Sequence, residues 1–184
     1  MLDREVEKKL LERAKGDKEA FGIIFEEYFS LILNYIFGRI GIKEEAKDLT
    51  EEVFIKALLS IDKYKDKGLP YSNYLMKIAT NLVNDFIKKE KRLILKDDIE
   101  IEYKEDFLDI EKKKFFLIQK ALIKLPIKYQ NVLSLKIFEK KKIKEIADIL
   151  NLNENTIKTI LKRGTEKLKK ALEKDETFLK DFSL

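Results

Sequence analysis

The chain contains no cysteine, no histidine and no tryptophan, and it has only two prolines and six glycines in 184 residues. Without cysteine there can be no disulfide and no thiolate metal site. Without histidine, the commonest metal ligand and general base is missing as well. We therefore predict a protein that is not an enzyme, with no catalytic residue, no metal site and no cofactor.

Long uncharged runs are also missing. The longest extends from Tyr28 to Gly38, whereas a membrane-spanning helix needs about 20 apolar residues. The N-terminus mixes acidic residues with lysine and lacks the apolar core of a signal peptide. We expect a cytoplasmic protein without membrane insertion, whose 45% hydrophobic residues suffice for one domain or two small ones.

Charge is abundant and unevenly distributed. Residues 1–92 contain 18 Lys+Arg and 17 Asp+Glu, and residues 93–111 contain 2 and 8, respectively. Residues 112–172 contain 17 Lys+Arg and 5 Asp+Glu, and the tail 173–184 contains 2 and 4. This pattern predicts a near-neutral N-terminal unit and a strongly basic C-terminal unit joined by an acidic linker. The alternative is that the linker forms part of a helix and packs through Ile99, Ile101, Phe107 and Leu108. If it is a linker, its carboxylates are expected to cover the basic unit in the free protein.

Apolar residues recur at helical spacing almost throughout, as at Leu49, Val53 and Ala57. We predict an all-α protein with about four helices in each unit. The expected breaks are Gly16-Asp17, Gly38 to Gly41, Gly68 to Pro70, Leu125-Pro126 and the asparagine cluster 151–153.

The stretch from Ile143 to Arg163 predicts two short helices joined by a tight turn. Ile143, Ile146 and Leu150 share one face of the first helix, and Asn153 is a good N-cap for the second. The outer face of the second helix carries amide, hydroxyl and cationic groups: Asn155, Lys158, Thr159, Lys162 and Arg163. Such a helix-turn-helix suits the DNA major groove, and the alternative is a helical hairpin with a solvated lysine face.

Longer motifs resemble one family. The segments DLTEEVF (48–54) and LPYSNYLMKIATNLVNDFIKKEKR (69–92) resemble the promoter-melting domain of bacterial sigma factors of the extracytoplasmic-function (ECF) group. LPIKYQNVLSLKIFEKKKIKEIADILNLNENTIKTILKRGTEKLKKAL (125–172) resembles their minus-35-reading domain. The resemblance implies an initiation subunit that binds core RNA polymerase, recognises minus-10 and minus-35 promoter elements and promotes DNA opening. It also implies an anti-sigma factor as a partner.

The resemblance assigns residues to two further surfaces. Asp48, Glu51, Glu52 and Ile55 would bind the polymerase clamp coiled coil; the alternative is an ordinary solvated acidic turn. The minus-10 surface would comprise a loop (62–71) and the helix after it, with Lys63, Tyr64, Lys65, Lys67, Tyr71, Asn81, Asn84, Asp85, Lys88 and Lys89. Tyr64 and Tyr71 are expected to offer stacking faces to a flipped base, and the lysines to contact phosphates. For any single lysine, a flexible surface loop is the alternative.

The sequence departs from the family pattern at a few positions. Tyr74 replaces a common tryptophan and is expected in the core, and Glu51 replaces a glutamine. Ile160 stands where the family commonly has arginine, and Gly164 where it has alanine. A helical glycine costs about 0.5–1 kcal/mol relative to alanine, and either close packing against the first helix of the helix-turn-helix or drift explains it. The alternative function is a two-domain helix-turn-helix regulator that does not engage polymerase, and a third is a helical interaction protein.

Overall fold

The computed structural model describes residues 2–90 and 110–174, with side chains described from residue 113 in the second segment. These residues form α-helices and one 3-10 turn, and no strand occurs among them. The helices are α1 (Arg4–Ala14), α2 (Lys18–Ile40), α3 (Lys43–Leu59), α4 (Tyr71–Lys89), α5 (Ile110–Ile123), α6 (Ile127–Ile137), α7 (Ile143–Leu150) and α8 (Glu154–Leu172), and the 3-10 turn is Ile61–Lys63. The prediction of an all-α fold is confirmed.

The helix boundaries follow local sequence signals. The Asp17 side chain caps α2 by accepting hydrogen bonds from the amides of Glu19 at 2.9 Å and Ala20 at 3.3 Å. Gly41 ends the same helix in the left-handed conformation, with φ 74°, which glycine adopts without steric cost. Pro126 precedes α6 as its N-cap. The predicted breaks at these positions are therefore confirmed.

Helix α2 forms the centre of the N-terminal core. Ile24, Tyr28, Ile32 and Ile36 are buried on it. By length and composition alone, its 23 residues would suffice to cross a membrane. A long apolar helix is also what the middle of a helical core requires, because neighbours cover it on several sides. Here α1, α3 and α4 all pack against it.

The predicted linker, 93–111, lies outside the described residues except for its last two. Those two residues, 110 and 111, already belong to α5, so the helix of the C-terminal unit begins earlier than the predicted boundary at 112. Of the predicted tail, residues 173 and 174 follow α8 directly, and the remainder lies outside the described part of the chain.

The N-terminal unit (α1–α4) and the C-terminal unit (α5–α8) pack against each other. Val132, Leu135 and Ile146 belong to the same apolar cluster as the residues of α2 and α4. The Lys141 side chain, which is only 8% exposed, crosses between the units. Its Nζ donates to Asn73 Oδ1 at 2.8 Å and to Ser72 Oγ at 3.1 Å. The apolar cores of the two units are thus continuous.

Candidate nucleic-acid interface

Helices α7 and α8 form the predicted helix-turn-helix. Asn151 ends α7 in the left-handed conformation, with φ 53°, which asparagine tolerates better than most residues. The Asn153 side chain then accepts a hydrogen bond from the amide of Thr156 at 2.7 Å and caps α8. The prediction of a second helix starting after Asn153 is confirmed.

The two faces of α8 differ sharply in exposure. Ile157, Gly164 and Leu168 are buried against the rest of the C-terminal unit. The five residues predicted to meet minus-35 DNA are all exposed: Asn155, Lys158, Thr159, Lys162 and Arg163. Within the described residues, no carboxylate forms an ion pair with the three cations of this group. The Thr159 hydroxyl donates to the Asn155 carbonyl at 2.9 Å, and the face presents the Asn155 amide and three positive charges to solvent.

Gly164 lies where α8 crosses α6. A β-carbon at this position would stand 3.2 Å from Tyr129 Cδ1 and 3.3 Å from Leu133 Cδ1. Of the two explanations for a glycine here, the structure favours close packing. The partner is α6, however, and not the first helix of the helix-turn-helix.

The loop 62–71 and the start of α4 enclose a cavity of about 290 Å³. Lys63, Lys65 and Lys67 line it together with Tyr64 and Tyr74. Aromatic rings and lysines around one cavity suit a stacked base with its phosphates. Asp148 of α7 also lines the cavity and lies 3.8 Å from Lys67 Nζ, so the C-terminal unit closes part of its rim.

Tyr71 differs from the expectation that it offers a stacking face. Its side chain is fully buried, because it begins α4 and points into the core. Its ring packs edge-on against Tyr64 at 4.9 Å and, tilted by 32°, against Tyr74 at 5.5 Å, measured between ring centroids. Tyr74, which we expected in the core, is only partly buried and lines the cavity. Burial raises the pKa of Tyr64 to about 12, so its hydroxyl stays protonated.

The predicted minus-10 face of α4 is only partly open. Asn81, Asp85, Lys88 and Lys89 are exposed, and Lys88 Nζ pairs with Asp85 at 3.2 Å. Asn84 is half-buried, because its Oδ1 accepts a hydrogen bond from Arg39 at 3.2 Å. No local sequence pattern indicates this contact, because the two residues are 45 positions apart.

The four residues predicted to bind polymerase lie on the outer surface of α3. Asp48, Glu51 and Glu52 are exposed, and Ile55 is 57% exposed. Two apolar neighbours that the sequence analysis did not single out, Leu58 and Leu59, are exposed as well, at 37% and 79%. The surface is therefore acidic towards the start of α3 and apolar towards its end. Among the described residues, no group of acidic side chains is arranged to hold a metal ion.

This geometry defines a two-unit helical DNA-binding protein, and comparisons with known proteins identify its family. Residues 24–93 match the family Sigma-70 region 2, and residues 115–168 match Sigma-70, region 4. The ECF RNA polymerase sigma factor SigW of Bacillus subtilis is 31% identical over 93% of this chain and 98% of that protein. The RNA polymerase sigma-H factor of Pseudomonas aeruginosa is 27% identical over 94% and 97%, respectively.

Solved structures share the fold, among them two complexes. CnrH in complex with the cytosolic domain of CnrY superposes with a TM-score of 0.71 over 92% of this chain and 99% of that one, at 18% identity. RpoE in complex with the anti-sigma factor NepR, from Bartonella quintana, superposes with a TM-score of 0.65 over 85% and 98%, also at 18% identity.

The chain belongs to the ECF RNA polymerase sigma factors. It is a sigma factor for transcription initiation that recognises promoters, and it is not an enzyme. The resemblance inferred from the sequence is confirmed.

Proposed function

We propose that the chain reads the two promoter elements with separate surfaces and opens the duplex while bound to core polymerase. The outer face of α8 contacts minus-35 DNA, and the loop 62–71 with α4 holds minus-10 DNA. The observation that carries the proposal is the exposure of all five donor-bearing residues on one face of α8, opposite the buried Ile157 and Gly164. A helix with such a face fits the major groove.

Within α8, the N-terminal residues lie nearest the bases, and Lys162 and Arg163 hold phosphates. Replacing Lys158 by alanine should cost about 1–3 kcal/mol at the cognate element and blur the preference at one base pair. Replacing Arg163 should weaken binding to all sequences alike and reduce the salt slope by about one.

The test is a binding series of the polymerase-bound protein on single-base variants of a transcribed promoter at fixed salt. If Lys158→Ala leaves the ranking of the variants unchanged while Arg163→Ala rearranges it, the proposed orientation of α8 is wrong. A protein that supports no run-off transcription with core polymerase would contradict the proposed function as a whole.

The outer surface of α3 binds the clamp coiled coil of polymerase. Its support is the combination of exposed carboxylates with the exposed Ile55, which suits a basic partner with an apolar centre. Ile55→Lys should weaken binding to core polymerase about tenfold, equivalent to about 1.4 kcal/mol. Ile23→Lys is the control, because Ile23 is 47% exposed on α2. Equal affinities of the two variants for core polymerase would exclude the outer surface of α3 as the binding site.

Glu51→Gln should leave polymerase binding intact.

An anti-sigma factor acts on the protein in the cytoplasm, where core polymerase and promoters are found. The support is that both solved structures described above are complexes, one of them with a protein described as an anti-sigma factor. A partner co-expressed with the chain should lower both run-off transcription and polymerase binding. A partner that binds the chain and lowers neither does not have this role.

A further inference from the structure

A buried carboxylate on α1 lies outside the matched family regions. Glu7 is only 2% exposed, and the region 2 match begins at residue 24. Charged side chains are rarely buried unless several partners satisfy them. The partners of Glu7 therefore indicate what the residue does.

Glu7 caps a helix that is distant in sequence. Its Oε1 accepts a hydrogen bond from the backbone amide of Tyr71 at 3.0 Å. Tyr71 is the first residue of α4, and the N-cap Pro70 supplies no side-chain acceptor. The hydroxyl of Tyr28 also donates to Glu7, and burial together with this bond raises the pKa of Tyr28, which keeps the donor protonated. A carboxylate at this position stabilises the positive end of α4.

Arg4 extends the same contact to the middle of the loop 62–71. Its guanidinium donates to Glu7 and to Asp66. Asp66 Oδ1 in turn accepts a hydrogen bond from the amide of Gly68 at 2.8 Å, where the chain turns with φ 74°. Helix α1 therefore holds the loop at two points, its middle and its end.

We propose that Arg4 and Glu7 are positioning residues for the minus-10 loop. They hold the loop and the first turn of α4 in the shape that encloses the cavity beside Tyr64 and Tyr74. Because the loop is ordered before DNA arrives, less conformational entropy is lost on binding and the fit to one base is sharper. The inference rests on the proposed minus-10 role of this loop.

Arg4→Met releases Asp66 and also removes the ion pair of Arg4 with Glu7, while Glu7 keeps its bonds to Tyr28 and to the Tyr71 amide. Arg13→Met is the matched control: it removes the same charge from α1, and Arg13 pairs only with Asp17, at 3.0 Å, among the described residues. Arg4→Lys is a milder variant that keeps a donor near Asp66. Thermal unfolding of each variant verifies that it is folded.

The experiment uses each full-length variant bound to core polymerase. The probe is a pre-melted promoter that the wild-type complex transcribes, together with its single-base variants in the minus-10 non-template strand. Arg4→Met should lower affinity for the cognate strand at least fivefold and reduce the cognate-to-variant affinity ratio at one base. Arg4→Lys should restore part of that ratio, and Arg13→Met should leave it within twofold of wild type.

A lost positive charge by itself would weaken all strands equally, so the affinity ratio is the decisive readout. If Arg4→Met and Arg13→Met give the same ratio, or if Arg4→Met weakens all strands alike, the inference is overturned. If the wild-type complex itself does not discriminate among the strands, the proposed minus-10 role of the loop fails instead.

Discussion

Two glycines inside helices have opposite surroundings, which allows a matched comparison. A β-carbon at Gly22 in α2 would meet nothing within 4 Å, whereas at Gly164 it would press on Tyr129 and Leu133. Gly22→Ala should raise the free energy of unfolding by about 0.5–1 kcal/mol through helix propensity. In Gly164→Ala, overpacking should cancel that gain, so that its free energy of unfolding is at least about 1 kcal/mol below that of Gly22→Ala. Urea unfolding measures both free energies, provided that the m-value is the same for the two variants. Equal gains would show that α6 yields to the added methyl group.

Glu139 should make stability depend on pH near neutrality. Burial raises the pKa of its carboxyl to about 7, above the ordinary value near 4.3. The folded state therefore binds more protons than the unfolded state between these values, and stability falls as pH rises through 7. Glu139→Gln should unfold like wild type at pH 4, below the unfolded pKa, and be more stable than wild type at pH 8. The chain has no histidine to titrate in this range. A difference that is the same at both pH values would contradict the assignment.

Single residues are where the sequence was least informative. Lys141 lies in a run of charged residues that is typical of a solvated face, yet it is buried against Ser72 and Asn73. Tyr71 carries a ring suited to stacking, yet the first turn of α4 directs it inward. In both cases a contact between distant parts of the chain determines burial. Helical periodicity does not encode such contacts.

At the scale of elements, a substitution in the cap of α8 should lower stability, whereas one on its outer face should weaken DNA binding. Asn153→Ala removes the acceptor of the Thr156 amide and should cost about 0.5–2 kcal/mol of stability. Asn155→Ala, two positions further on an exposed face, should leave stability within about 0.5 kcal/mol and weaken minus-35 binding. Chemical unfolding and duplex binding on the same preparations measure both effects. A loss of stability in Asn155→Ala would show that Asn155 stabilises the fold and would contradict its predicted role in DNA binding.

The sequence predicted the helices and their breaks because those signals are local. Asp17 and Asn153 act on the turn that follows them, Gly41 acts on the turn that precedes it, and the structure has each of them where expected. The start of α4 shows the limit of such signals. Its cap comes from Glu7, 64 residues away, and Pro70 alone indicates only where the helix begins. The outer face of α8 was predictable for the same local reason.

At the scale of the whole molecule, the C-terminal unit packs against the proposed minus-10 surface. Asp148 lines the cavity of the loop 62–71. A second cavity, of about 350 Å³, lies between Asn81 and Asn84 of α4 and the turn at Asn151. The minus-35 face of α8 stays exposed. We therefore expect DNA to reach the whole of the proposed minus-10 surface only when the two units separate.

We predict that the free protein binds DNA weakly, and two causes of this weakness are distinguishable. The predicted acidic linker lies outside the described residues, and its proposed action is to cover the basic C-terminal unit. Neutralising Asp97, Asp98, Glu100, Glu102, Glu105 and Asp106 should then raise affinity for duplex DNA. Contact between the units instead covers the minus-10 surface, so breaking it should raise affinity for the single strand. Unchanged duplex affinity at low salt after neutralisation would exclude the linker effect.

Lys141→Met tests the contact between the units directly. While the two units are packed together, the variant leaves Ser72 Oγ and Asn73 Oδ1 buried without the Lys141 donor, which costs about 1–3 kcal/mol of free energy. Once the units separate, water can bond to both oxygens. The equilibrium should therefore shift about tenfold or more towards open molecules. Fluorescence transfer between labels on α1 and α8 should fall, and affinity of the free protein for the minus-10 single strand should rise, with duplex binding nearly unchanged. Lys140→Met removes the same charge from an exposed neighbour and should change neither. If the two variants give the same transfer efficiency and the same single-strand affinity, Lys141 does not hold the units together.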